Sequence, residues 1–183
     1  MQTLHLTLNG TPIDTEVEDT VLLVEWLREA QGLTGTHQGC DTAQCGACTV
    51  MVDGQAVKSC NVLALQVDGS EITTIEGVSG DAESLHVMQL AFSKHHGLQC
   101  GYCTPGMVMR ALAMVRENVP AEPHAVREAL AGNLCRCTGY EGIVAAIIDG
   151  MQQLRGAGRG EAHVEVRGEV HGEAHGKTTG QTS

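Results

Sequence analysis

Eight cysteines in two groups of four constrain this chain more than any other feature. In GCDTAQCGACTV, residues 39–50, Cys40, Cys45 and Cys48 fall within nine positions, and Cys60 follows from a later segment. The second group is Cys100, Cys103, Cys135 and Cys137, spaced C-x2-C-x31-C-x-C. Any fold must bring each quartet together. The N-terminus, MQTLHLTLNG, has no basic region followed by an apolar run, so the chain reads as cytoplasmic, not secreted. In a reducing compartment, eight thiols point to metal ligation more than to disulfides.

The first quartet has the form C-x4-C-x2-C followed by a distant cysteine, the spacing of plant-type [2Fe–2S] ligation. Two irons and two sulfides need four thiolates around a rhomb, so one loop must wrap most of the group. Gly39, Gly46 and Ala47 leave room for that backbone to approach sulfur. Structural zinc is the competing reading, but zinc prefers two separated knuckles to three cysteines in one small-residue loop. The second quartet is ambiguous by spacing alone, since C-x2-C with a later C-x-C also suits zinc. The helix layout favours an anionic cluster. Cys103 precedes a helix start at Thr104-Pro105, and Cys135 and Cys137 precede one at Thr138, so unpaired N–H groups and the helix dipole would stabilise thiolates. Arg136, between two ligands, either offsets charge or is an ordinary surface residue.

Around these loops the hydrophobic pattern changes once. Leu4, Leu6 and Leu8 alternate as in a half-buried strand, and Asn9-Gly10 marks a hairpin whose return strand runs to about Val17. A helix is expected over 21–32, capped by Asp19 or Thr20. Residues 49–60 read as two short strands around Asp53-Gly54, with Cys60 on the second, and 71–78 as a last strand. From Glu83 onward four helices are expected: 84–97, one opened by Thr104-Pro105, one by Pro123, and one with Thr138 and Glu141 as a capping box. After Gly156 the composition turns to Gly, Glu and His. The implied class is α+β, with domains at 1–78 and 79–155 and a disordered, low-complexity tail at 156–183. The tail's histidines could hold a metal ion loosely, though a solvated tail is the better reading.

The formal net charge of −11 argues against nucleic acid as a partner and against anionic membrane surfaces, and no apolar run reaches membrane-spanning length. No G-x-G-x-x-G follows a strand, so no dinucleotide domain is expected in this chain. His37, His86, His95, His96 and His124 read as surface, packing or helix-end residues, and no catalytic residue is assigned. Three function classes fit at this level: a subunit of a larger redox enzyme, a free ferredoxin-like carrier, and a zinc-stabilised interaction module.

The phrases GCDTAQCGACTV, LQCGYCTPGMVM and AGNLCRCTGYEGIV resemble the iron–sulfur subunit of the molybdenum hydroxylases, the xanthine oxidase family, in the split bacterial form typified by the small subunit of aerobic carbon monoxide dehydrogenases. The likeness covers roughly residues 3–155. It implies a plant-ferredoxin-like β-grasp domain followed by a four-helix bundle, each with one [2Fe–2S] cluster. Carried over by motif, Cys100, Cys103, Cys135 and Cys137 would hold the cluster proximal to molybdenum, and Cys40, Cys45, Cys48 and Cys60 the distal one. Gln99 matches a glutamine that hydrogen-bonds the pterin, and Cys137 the ligand whose sulfur approaches it; a solvent-facing Gln99 is the alternative from residues alone. The resemblance implies partners: a large subunit with molybdopterin of the cytosine dinucleotide type, and an FAD-binding medium subunit, in a heterotrimer or a dimer of heterotrimers. This chain would then conduct electrons and make no bond in the substrate. The Gly/His/Glu tail is the one departure from the family.

Overall fold

The computed structural model describes residues 1–79 and 84–156, together with the backbone of His163–Val164. Strands β1 (Gln2–Leu8) and β2 (Thr11–Val17) form the expected hairpin, with Asn9 and Gly10 both at positive φ as a tight primed turn requires. Leu4, Leu6 and Leu8 of β1 all point into the core. Strands β3 (Thr49–Val52) and β4 (Gln55–Lys58) pair around Asp53-Gly54, and β5 is Glu71–Thr73. The five make one sheet in the order β2-β1-β5-β3-β4, in which β1 and β5 run parallel and the other pairs antiparallel. The last strand is shorter than expected. It yields at Thr74, where the Asn9 side-chain oxygen takes the Thr74 N–H at 2.8 Å, and the chain turns through a 3-10 segment at Ile75–Gly77.

The helix expected over 21–32 is an α-helical turn, α1 (Leu23–Glu25), that widens into a π-helical segment at Trp26–Ala30. Its start is held not by Asp19 or Thr20 but by Glu25, whose carboxylate accepts the Leu22 N–H at 3.1 Å. The i→i+5 bond from Gln31 N–H to the Trp26 carbonyl marks the widening. Leu23, Trp26 and Leu27 are all buried, beside Leu4, Val50 and Ile72.

Four helices make up the second part: α2 (Val87–Lys94), α3 (Thr104–Arg116), α4 (Pro123–Ala129) and α5 (Glu141–Gly156). Met88, Phe92, Met107, Met114, Ile143, Ile147 and Met151 form their shared core. Methionine fills the space that aromatic rings would otherwise take. Helix α2 starts later than expected because Leu85–His86 is a strand, β6, paired antiparallel with β7 (His163–Val164). The Gly/Glu/His composition around 163 does not announce this pairing. The rest of the segment expected to be a disordered tail lies outside the described residues. A small third cluster, Met51 with Met109 and Ala113, joins the sheet to α3. The architecture is α+β.

Candidate metal centres

The first centre is built by the loop between α1 and β3. Cys40, Cys45 and Cys48 lie on it, and Cys48 is buried at 2% exposure. Cys60 comes not from β4 but from the 3-10 turn just after it, Ser59–Asn61. The turn is tied to the loop because Ser59 Oγ donates to the Cys48 carbonyl at 2.7 Å. The Cys45 N–H points at Cys40 Sγ, 3.4 Å away. This bond and the Thr42 N–H lower the Cys40 thiol to about 6. Cys60, by contrast, is pushed up to about 12, first by burial and then by the neighbouring Cys48 thiol.

The second centre joins the segment between α2 and α3 to the segment between α4 and α5. Cys103 is the N-cap of α3, with Thr104 in the first turn; the expected cap at Thr104 is displaced by one residue. Cys135 and Cys137 stand farther from α5 than expected, since that helix begins at Glu141. Thr138 does not cap it. Its hydroxyl donates to Cys135 Sγ at 3.2 Å and accepts the Tyr140 N–H at 3.2 Å. The Tyr140 hydroxyl oxygen accepts the Cys135 N–H at 2.8 Å. Burial alone would raise the Cys135 thiol, but the Thr138 hydroxyl and the N–H groups of Cys137 and Thr138 outweigh it and leave the thiol below its usual value. Cys103 is pushed up to about 12 by burial and by Cys135 beside it.

All eight thiols are free, and they come in pairs. Cys100 Sγ and Cys137 Sγ are 3.7 Å apart. Cys103 and Cys135, Cys40 and Cys45, and Cys48 and Cys60 act on one another's ionisation as neighbours. Among the described residues no three His, Cys, Asp or Glu side chains gather as one metal ion would require. Two pairs per centre are what a two-iron rhomb asks of its protein, each iron taking one pair, whereas zinc asks for one tetrahedron. The electrostatics agree. Neighbouring thiols oppose one another's ionisation in both centres, and bound cationic iron resolves that conflict. The residues therefore fit two [2Fe–2S] clusters.

A cleft of about 500 Å³ is lined by all four cysteines of the second centre and, from the first, by Gly39, Cys45 and Ala47. Cys100, Cys137 and Arg136 are exposed at its mouth, with Gln99 solvent-facing beside them. Among the described residues, no histidine joins the cysteines in a metal-binding group. His37 stacks on Tyr102 with ring centroids 4.5 Å apart, linking the approach to Cys40 with the Cys100–Cys103 loop. The Tyr102 hydroxyl donates to the Gln38 carbonyl at 2.8 Å. His86 caps α2, His95 pairs with Asp149, and His124 with Glu128. The cysteine pattern does not point to Tyr140, Lys58 or Asn133. Lys58 Nζ donates to the Ala43 and Gln44 carbonyls inside the first loop, and its place two residues before Cys60 is the only sequence sign of that role.

A fold of two cysteine-bearing parts with paired thiols defines a protein of two [2Fe–2S] domains, and comparison with known families agrees. A "2Fe-2S iron-sulfur cluster binding domain" matches residues 6–74, and a "[2Fe-2S] binding domain" matches residues 74–148. The chain is 46% identical over 147 residues to the 6-hydroxypseudooxynicotine dehydrogenase complex subunit beta of Paenarthrobacter nicotinovorans, covering 80% of this chain and 91% of that one. It is 45% identical over 149 residues to the xanthine dehydrogenase iron-sulfur-binding subunit of Escherichia coli O157:H7, covering 80% and 92%. Among solved structures, quinoline 2-oxidoreductase from Pseudomonas putida 86 superposes with a TM-score of 0.81 at 44% identity, covering 86% of this chain and 97% of that one. Aldehyde oxidoreductase from Desulfovibrio gigas also gives 0.81, at 39% identity, but there the match covers 86% of this chain and 18% of a much longer one. The chain belongs to the iron–sulfur subunits of the xanthine oxidase family of molybdenum hydroxylases.

Proposed function

We propose that this chain is the electron-transfer subunit of a molybdenum-containing hydroxylase or dehydrogenase, with Cys40, Cys45, Cys48 and Cys60 holding a distal [2Fe–2S] cluster and Cys100, Cys103, Cys135 and Cys137 a proximal one. When bound, the clusters supply one-electron relays between a molybdenum–pterin site in one partner and FAD in another. The single observation that carries the reading is the gathering of eight free thiols into two quartets, with all four of the second and Cys45 of the first lining one cleft.

This chain's own residues hold and tune. The Cys45 N–H and the Thr138 hydroxyl donate to ligand sulfurs, which favours the more negative state of each centre. Exposed Cys100, Cys137 and Gln99 set the proximal end at the surface, where the pterin of a large subunit would meet Gln99 and Cys137. Leu98, Tyr102 and Leu134 are exposed apolar residues around that end, which supports permanent assembly over a free carrier. The partners are then a large subunit with a molybdopterin cytosine dinucleotide and an FAD-binding medium subunit, in a heterotrimer or a dimer of heterotrimers. The parts are read as a β-grasp domain over 1–78 and a four-helix bundle over 79–155. No helix among the described residues is long and apolar enough to cross a membrane, and the proposed place of work is the cytoplasm.

Two measurements test this. Iron and acid-labile sulfide should each come to about four per chain. In the assembled complex, Cys103→Ser should abolish one of two electron paramagnetic resonance signals and stop reduction of the flavin by substrate. Flavin reduced at the normal rate in that variant would refute the assignment.

A further inference from the structure

The seam between the two centres is closer than packing of two domains requires. Gly46, next to the ligand Cys45, has φ +73, and a Cβ there would lie 2.3 Å from the Gly132 carbonyl oxygen. A Cβ on Gly106, three residues past Cys103, would lie 2.3 Å from the Gly46 oxygen. Backbone from both halves thus meets closely at this seam. One side chain threads the contact. Asn133 is only 5% exposed, and its amide nitrogen donates to Gly46 O at 3.0 Å, Thr49 Oγ1 at 3.2 Å and Gly106 O at 3.3 Å. Two of these acceptors are carbonyls, so the group facing them must be the NH2. The next residue, Leu134, donates its N–H to the Cys45 carbonyl at 2.8 Å, and Cys135 follows directly.

We infer that Asn133 is a positioning residue for electron transfer: its amide clasps the Cys45–Gly46 turn to the first turn of α3 and so sets the separation of the two clusters. Its hydrogen bonds go to the Gly46 and Gly106 carbonyls and the Thr49 hydroxyl, not to a ligand sulfur. A buried NH2 held by carbonyls from both halves resists sliding, because any displacement leaves polar groups unpaired away from water. Tunnelling falls exponentially with distance, and the magnetic dipolar interaction between two paramagnets falls as the cube of their separation. Both quantities therefore report on the clasp.

The inference rests on the two-cluster reading, which the wild-type complex tests by itself through its iron, its sulfide and its two signals. Asn133→Asp keeps the size of the side chain but turns acceptor oxygens toward two carbonyls. In the complex, with both clusters reduced, this variant should keep the iron content and g-values of each signal. Its dipolar splitting should shrink, and transfer between the clusters should slow roughly tenfold or more. A residue serving packing alone would leave the splitting as it is. Unchanged splitting with both clusters present overturns the inference. Should Asn133→Asp lose a cluster, Asn133→Ala decides: it removes the amide without placing a charge in the seam, a reduced splitting supports the clasp, and an undiminished one overturns it.

Discussion

Thr138 shows how one hydroxyl can serve a cluster. It donates to Cys135 Sγ and accepts the Tyr140 N–H, so its orientation is fixed from both sides. A hydrogen bond to sulfur stabilises the reduced centre more than the oxidised one. Thr138→Val should lower the potential of the cluster proposed at Cys135 by up to about 60 mV, the one-electron equivalent of a hydrogen bond's net ~0.5–1.5 kcal/mol. A redox titration followed by paramagnetic resonance measures the shift. At this scale the two cysteine groupings are legible in the sequence, because cysteine spacing is itself a geometric statement. Thr138 was legible as special but misread as a cap. A hydroxyl before a helix can serve either the helix or a nearby thiol, and only the position of Cys135 decides between them. Asn133 gave no signal, since its three acceptors lie 27, 84 and 87 residues away along the chain.

Among the elements, strands β1 to β4 follow their alternation and turn residues closely, and the helices follow their proline openings. The failures are at ends. The turn at Trp26–Ala30 widens because Leu23, Trp26 and Leu27 must all reach the sheet, a demand that local propensity does not contain. Helix α2 loses its first turn to pairing with residues far along the chain. Helices α2 and α5 are pinned where Asp149 Oδ2 accepts Lys94 at 2.8 Å and His95 at 2.7 Å, while Oδ1 accepts Gln153. Those donors, Lys94 foremost, hold the Asp149 carboxyl well below the usual carboxylate range. Its folded value is depressed, so its contribution is full above the unfolded value near ~4 and fades as pH falls from there toward the folded value. Asp149→Asn should cost about 1 kcal/mol at neutral pH. The difference from wild type should narrow below about pH 4. Hydrogen exchange of α2 amides at several pH values would show both effects.

At the scale of the whole molecule the charge is lopsided. Residues 1–78 hold eleven Asp and Glu but only two Lys and Arg, so the helical part is nearly neutral by comparison. The acidic half suits reversible, salt-sensitive encounters. The end around Cys100 and Cys137 is different: Leu134 is 54% exposed, Tyr102 48% and Leu98 38%, around two exposed cysteines. Leu134→Asp should weaken retention of the large subunit by about 1–3 kcal/mol while leaving iron per chain unchanged. Size-exclusion chromatography of the complex at falling concentration would measure this.

The methionine seam between Met51 of the sheet and Met109 of α3 carries a consequence for how such chains can be rearranged. Severed between the sheet and the helices, each fragment would offer oily surface to water, and the cleft beside Cys103 and Cys135 would lose Gly39, Cys45 and Ala47 from its lining. The two relays are therefore not interchangeable cartridges on a string. In this chain a cut between the sheet and the helices should therefore destabilise both parts together.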